Sequence, residues 1–248
     1  MADAGVTPLA QADVAVLARV SGIALSAYRP EHVARSVARV ADRYGLRSGT
    51  ELAGLCQRSP AALAALRRSL LVPGIGPVPD PGQLDVLRRD LLPGLLHDRA
   101  GLRVWSAGCS TGGELYQVGL LLRQCGALPG SRLLGSDLLA ERIEAARQGP
   151  PGAATAPADL RAAVRWERRD LVRDPAPAGL FDLVLCRNVA IYLVAAAQQV
   201  LHAKLAGALR RGGVLLLGHS ERLLRPEQFG LAAAAAHAYR KEPACAAA

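Results

Sequence analysis

The chain has 248 residues, of which 51% are hydrophobic and 21% charged, enough apolar surface for a full core and too much for a disordered chain. Its formal net charge of +9 is nearly all arginine, since Lys204 and Lys241 are the only lysines. The arginines are spread along the whole chain, which argues against a nucleic-acid-binding stripe. They leave two readings open: a compositional bias toward Arg and Ala, or an electropositive face for an acidic partner. Cys56, Cys109, Cys125, Cys186 and Cys245 form no CxxC pair, so neither a zinc site nor a disulfide framework is expected. With no signal-peptide pattern and no apolar span of about 18 residues, a cytoplasmic protein that engages no membrane is the default.

Residues 8–71 read as helices joined by turns. Apolar residues recur at three and four spacing in Val14, Leu17 and Val20, and again in Val33, Val37 and Val40. Ser59-Pro60 has the form of an N-cap followed by proline at the first helical position, opening a helix through Leu63, Leu66 and Leu70. Val72 through Gly82 is rich in Pro and Gly and reads as a hinge. A helix over Gln83–Leu96 then places Leu84, Leu87, Leu91 and Leu95 on one face. The spacing predicts a helical N-terminal domain over 1–72, a hinge over 73–82 and a second domain over 83–248.

From residue 101 strands and helices alternate. Strands are predicted at Leu102–Ser106, Arg132–Ser136, Val164–Arg168, Phe181–Leu185 and Val214–Leu217. Helices are predicted at Gly112–Gln124, Leu139–Arg147 and Ala195–Arg210. Residues 149–160 read as a loop. Ala232–Ala236 reads as the turn of a closing hairpin or the end of a short helix. This alternation implies an α/β, Rossmann-like domain: a parallel sheet with helices on both faces.

The first strand runs into Ser106-Ala107-Gly108-Cys109-Ser110-Thr111-Gly112-Gly113-Glu114 and then a helix. A glycine-rich strand-to-helix turn lets backbone approach a ligand, and the helix N-terminus presents free N–H groups. The second strand ends in Gly135-Ser136-Asp137. An acid there can accept hydrogen bonds from both hydroxyls of a ribose. Together the two features indicate a cofactor that contains adenosine. The turn is not GxGxxG and contains no lysine, which excludes a P-loop. Glu114 would repel a pyrophosphate but suits the ammonium of a methionine moiety, so S-adenosylmethionine is favoured over NAD. The plainer account of Glu114 is an acid complementing the helix dipole.

At these residues the sequence resembles the CheR-type chemotaxis receptor methyltransferases, which methylate glutamate side chains with S-adenosylmethionine. The family's first motif, roughly W-S-A-G-C-S-T-G-E-E-P-Y, is matched by Trp105 to Tyr116, W-S-A-G-C-S-T-G-G-E-L-Y. Cys186-Arg187-Asn188-Val189-Ala190-Ile191-Tyr192 matches a second motif and Gly218-His219-Ser220-Glu221 a third. Tyr239-Arg240-Lys241 resembles the closing strand, and Gly22-Ile23 with Tyr28-Arg29 resembles the small helical domain.

The resemblance implies roles. Ala107, Gly108 and Glu114 hold the methionine part and Asp137 the ribose. Asp170 takes the place of an asparagine that meets the adenine amino group, or else pairs with Arg168 or Arg173. Asn188 lines the cofactor pocket, a set that also takes in Cys109, Leu138 and Leu171. Tyr192 matches the active-site tyrosine near the transferred methyl, unless it is a core ring. Arg187 steers an anionic substrate or, the favoured reading, pairs with a carboxylate inside the fold. His219 is expected to be structural. S-adenosylhomocysteine is the implied product.

Three departures fall on the acceptor side. The family's T-x-F-F-R-D stretch corresponds to Gly76-Pro77-Val78-Pro79-Asp80, with Pro79 in place of an arginine that points into the active site. Proline cannot pair with a carboxylate. The first of two consecutive acids is Gly113 here. Gly149 to Ala163 is too short for the family's antiparallel insertion, and a tyrosine expected near Pro151 is absent. The expectation is therefore a methyltransferase with a small-molecule acceptor. Three other readings remain: a protein carboxylate acceptor, S-adenosylmethionine itself as the substrate, cyclised or cleaved with release of methylthioadenosine, and a sensing domain without turnover.

Overall fold

The computed structural model describes residues 9–71, 81–149 and 156–242. By contact the chain divides into two compact units, Met1–Pro73 with Tyr192–Gln198, and Gly74–Ile191 with Gln199–Ala248. Most of the expected hinge, including Pro79, lies outside the described residues, as does Pro151. Among the described residues no helix is long and apolar enough to cross a membrane.

The first unit is helical: α1 (Gln11–Ser21), α2 (Pro30–Arg43), α3 (Gly49–Arg58) and α4 (Pro60–Leu70). Leu17, Val33, Val37, Val40, Leu52, Leu66 and Leu70 are buried, as their spacing requires. Side-chain caps set two of the starts. Ser48 Oγ accepts from Glu51 N at 3.1 Å, and Ser59 Oγ from Ala62 N at 3.3 Å with Pro60 at the first helical position. Ser36 and Ser69 tie α2 to α4 by donating to each other's carbonyls at 2.9 and 3.0 Å.

The second unit opens on one continuous helical run: α5 (Pro81–Val86), a π turn (Leu87–Leu91) and α6 (Leu92–Leu96). Pro93 has no N–H for the bond to Arg89, and Leu92 N reaches back five residues to Leu87 O. The shifted register buries Leu87, Leu91, Leu92 and Leu95, with Gln83 rather than the expected Leu84 on the inner face.

The sheet follows: β1 (Arg103–Ala107), α7 (Gly113–Gln124), β2 (Arg132–Asp137), α8 (Ala140–Gln148), α9 (Ala158–Ala163), β3 (Val164–Arg168), β4 (Phe181–Cys186), α10 (Ala195–Ala208), β5 (Leu209–Leu217), β6 (Leu231–Ala235) and β7 (Ala238–Lys241). The strand order is β3-β2-β1-β4-β5-β7-β6, parallel except where β7 meets β5 and β6. β4 is buried at every position, the pattern of a central strand covered on both faces. On one face Leu91 and Leu95, Leu115, Val118 and Leu122 of α7, and Leu133, Leu183 and Val214 of the sheet form one core.

The fold is the Rossmann-like α/β arrangement expected, with differences of detail. The β3–β4 connection, residues 169–180, carries no helix, so part of one sheet face lacks the helical cover that strict alternation implies. Pro175, Pro177 and Gly179 account for this, since each breaks a helix. α9 begins inside the stretch expected to be a loop, 149–160, and runs on to Ala163. Ala232–Ala235 belongs to strand β6, not to a turn or helix end, because pairing with β7 supplies what alanine's weak strand preference does not. β5 begins at Leu209 instead of Val214, across a register shift opposite Phe181 and Leu183.

Two buried histidines make the fold acid-sensitive. Burial lowers the pKa of His32, an effect that the bond to Leu70 O opposes and the Arg35 and Arg39 charges reinforce. Burial alone lowers that of His202, whose Nε2 has no hydrogen-bond partner among the described residues. Each group titrates lower folded than unfolded. As pH falls through the ordinary histidine value of about 6.5, the unfolded chain therefore takes the proton first and stability drops. Thermal melts are expected to show a lower midpoint at acid than at neutral pH. His202→Leu is expected to reduce that difference, and an unchanged difference contradicts the assignment.

Candidate active site

The strand order reverses between β1 and β4, with β2 and β3 on one side and β5 on the other. In an open parallel sheet such a switch point leaves a crevice at the carboxyl ends of the strands, where ligands bind. Two turns border it, one after Ala107 of β1 and one after Cys186 of β4.

The first turn is anchored to β2, as Gly108 N and Cys109 N both donate to Ser136 O at 2.8 and 2.9 Å. Gly108 has φ 78°, and a Cβ there would stand 2.7 Å from Val189 Cγ2 of the second turn. Glycine is thus what lets the two turns meet. α7 starts just beyond, and its Tyr116 N reaches Gly112 O at 3.0 Å. The free amides of its first turn form the positive end of the helix.

Asp137 ends β2 and is 5% exposed. Its Oδ2 accepts from Ser110 N at 3.0 Å and its Oδ1 from Leu139 N at 2.9 Å, with Arg142 Nη1 3.6 Å from Oδ2. Each oxygen takes one backbone N–H, and a carboxylate oxygen has a second lone pair. The bond that Ser110 N donates to Asp137 holds Ser110 at φ 51°, an uncommon conformation for a residue other than glycine. Leu138 beside it is half-buried, and its carbonyl accepts from Arg168 Nε at 3.1 Å.

The second turn depends on Glu221, which is 5% exposed. Its Oε2 accepts from Asn188 N at 2.7 Å and Gly218 N at 2.9 Å. Its Oε1 accepts from Val189 N at 3.0 Å and Ile191 N at 3.3 Å. One carboxylate therefore fixes the chain after β4 to the chain after β5. It holds Asn188 at φ 57°, a conformation asparagine tolerates better than most residues. Glu221 closes the third sequence motif, where nothing in the spacing assigns it a role. His219, in the same motif, is exposed.

Glu114 and Arg187 face each other across the crevice walls. Arg187 Nη1 lies 3.0 Å from Glu114 Oε1, and Ser106 Oγ donates to Glu114 Oε2 at 3.2 Å. The pair is largely buried, at 12% and 15% side-chain exposure. Arg187 thus has a carboxylate partner within the fold. Its Nε is buried with no hydrogen-bond partner among the described residues. Cys109 and Cys186 adjoin these acids. Burial first, then the charges of Asp137 and Glu114 for Cys109 and of Glu221 and Glu114 for Cys186, pushes both thiols well up. They stay neutral and are not nucleophiles.

On the β3 side Asp170 Oδ1 accepts from Val172 N at 2.9 Å and Arg173 N at 3.2 Å, and Oδ2 is 3.9 Å from Arg173 Nε. Leu171 is buried, with Cδ1 3.7 Å from where a Cβ on Gly108 would stand. Lys204 of α10 holds this segment, donating to Leu171 O at 2.6 Å, Val172 O at 3.3 Å and the Asp174 carbonyl. Its three donors match three carbonyls, a task the planar fork of arginine does not suit. The one sequence cue was that Lys204 is a lysine at all.

Tyr192 belongs to the first unit, and its ring centroid is 4.6 Å from that of His32. Among the described residues no group of His, Cys, Asp and Glu could hold a metal ion.

The family model for the CheR methyltransferase, SAM binding domain matches residues 80–154 and 151–237. The chain belongs to that family. Its fold is the S-adenosylmethionine-binding domain of CheR methyltransferases. A "Chemotaxis protein methyltransferase" of Listeria innocua is 36% identical over 170 residues, 60% of this chain and 64% of that relative. The match therefore spans under two thirds of the relative's length. "Chemotaxis protein methyltransferase 1" of Pseudomonas aeruginosa is 27% identical over 243 residues, 84% of this chain and 87% of its own. Among solved structures, the amino pentose methyltransferase CalS10 of Micromonospora echinaspora bound to S-adenosylmethionine is 22% identical. It covers 55% of this chain and 49% of its own, with a TM-score of 0.41.

Proposed function

We propose that this CheR-family chain transfers a methyl group from S-adenosylmethionine to a carboxylate oxygen of a protein side chain. The observation that carries the reading is the β1/β4 crevice, with Asp137 on one wall and the Arg187–Glu114 pair between its walls. The donor set fits the cofactor. Asp137 has lone pairs for two ribose hydroxyls. Ala107, Gly108 and Cys109 offer a close backbone approach, with Leu138, Leu171 and Asn188 lining the rest. Glu114 suits the ammonium, with its charge partly balanced by Arg187. Asp170 is the acceptor for the adenine amino group.

When bound, S-adenosylmethionine supplies an electrophilic methyl on a sulfonium. The residues here have to orient the acceptor and exclude water, and orientation of this kind contributes roughly 7–11 kcal/mol. A carboxylate acceptor needs no general base, consistent with the neutral thiols. Tyr192 positions the acceptor. The relatives are named chemotaxis protein methyltransferases, which favours a protein acceptor over the small molecule read from the sequence. Pro79, in place of the family arginine, still supports the small-molecule reading as second choice.

The test supplies S-adenosylmethionine with a tritiated methyl to the protein with acidic proteins, with small carboxylic acids, and alone. Base-labile label on a protein, with S-adenosylhomocysteine formed only when that protein is present, is expected. Label on small acids alone turns the assignment to the second reading. Methylthioadenosine formed without any acceptor defeats both. Tyr192→Phe is expected to lower turnover at least about tenfold with cofactor affinity unchanged; a loss confined to cofactor affinity removes Tyr192 from the acceptor side.

A further inference from the structure

The sheet face that the helix-free β3–β4 connection leaves thinly covered carries a second feature, at the opposite end of the strands from the crevice. Arg103 opens β1 and Arg132 opens β2, and the two are directly registered neighbours in the parallel pair. Arg165, on β3, pairs with Leu134, two positions along. Like charges placed opposite each other on a sheet oppose its formation. None of the three guanidiniums has a carboxylate partner among the described residues. Arg103 Nη2 reaches Ala178 O at 3.4 Å and its guanidinium lies over the Phe181 ring, while Arg132 Nη1 reaches Ser131 O at 2.8 Å.

The three line a groove of about 420 Å³ together with Leu133, Leu134 and Phe181. A second concavity of about 440 Å³ adjoins it, sharing Arg132, Ala163 and Arg165. The acids along the way are already paired, Glu167 with Arg169 at 2.6 Å and Asp159 with Arg123 at 2.8 Å. The groove thus joins an apolar lining to three cations that lack a carboxylate partner among the described residues.

We propose that this groove binds an acidic peptide segment of a partner protein, its carboxylates taken by Arg103, Arg132 and Arg165. Adjacent strands are about 4.8 Å apart, so the first two guanidiniums suit carboxylates on nearby side chains of one extended segment. A nucleic acid is less suited: Phe181 is buried, and its ring is covered by Arg103 instead of being open for a base to stack on. The site lies apart from the crevice and does not depend on the reaction proposed for it.

Fluorescence anisotropy with a fluorescein-labelled hexaglutamate peptide tests the assignment on the full chain. Saturable binding is expected, weakening as salt rises above about 150 mM. The double substitution Arg132→Glu and Arg165→Glu, both exposed positions, is expected to lower affinity at least about tenfold. Arg88→Glu, at an exposed residue paired with Asp85, is expected to stay within about twofold of wild type and controls for reversing an arginine outside the groove. An unchanged thermal melt shows that the double variant is folded. Equal affinity of the double variant and wild type overturns the proposal, as does an equal loss in Arg88→Glu. A thymidine oligonucleotide or tripolyphosphate that displaces the peptide at lower concentration than unlabelled hexaglutamate overturns the peptide as occupant.

Discussion

Glu221→Ala is expected to unfold the carboxyl edge of the sheet, and with it most of the second unit's stability. The substitution removes the acceptor for Asn188, Val189, Ile191 and Gly218 N–H together. A buried donor left unsatisfied costs about 1–3 kcal/mol. Even with water reaching some of these donors, the loss is comparable with the roughly 5–15 kcal/mol that keeps a domain folded. Glu221→Gln separates hydrogen bonding from shape. Its one carbonyl oxygen can serve one pair of amides, but its NH2 group must face the other pair, donor against donor. Denaturant melts should rank wild type above Glu221→Gln and that above Glu221→Ala. Amide exchange should speed first at Asn188 and Gly218 or at Val189 and Ile191, depending on which pair the NH2 faces. A Glu221→Ala melt within about 2 °C of wild type would falsify the account.

Asp137→Ala is expected to weaken S-adenosylmethionine binding by at least about a hundredfold. Hydrogen bonds to a charged acceptor are worth about 1.5–3 kcal/mol each, and the proposed ribose contact makes two. The variant also frees Ser110 N and Leu139 N, so part of any loss comes from the turn itself. Asp137→Asn distinguishes the contributions. Its side-chain oxygen can still accept from one of the two amides, while one acceptor for the diol becomes a donor. Calorimetry should therefore find Asp137→Asn weakened, but its melting midpoint nearer wild type than that of Asp137→Ala. Wild-type affinity in both variants removes Asp137 from the ribose and leaves it a purely structural carboxylate.

What the sequence displayed of this arrangement follows from how local each feature is. The glycine turn, the acid closing the next strand and the alternation of strands with helices all lie within short windows, where spacing carries geometry. Glu221 does not: it acts on amides about thirty residues away, and a backbone N–H has no residue identity for a motif to record. Lys204 is hidden for the same reason, since its partners are carbonyls. The Arg187–Glu114 pair was approachable only because both ends sit in motifs of their own. The π turn turned on one missing N–H at Pro93. α9 was obscured by its setting, a six-residue helix behind a Pro- and Gly-rich stretch.

The strand order has a consequence for synthesis. β7, almost the last part of the described chain, fills an interior slot between β5 and β6. Until Ala238–Lys241 have left the ribosome, the β5 edge at Val214–Leu216 has no neighbour on that side. An unpaired apolar edge is a template for other strands. The helical unit and the first strands can form before then, but the sheet cannot be sealed from one end to the other until β7 is available. It closes only after its final strand inserts between two neighbours that both precede it in the chain.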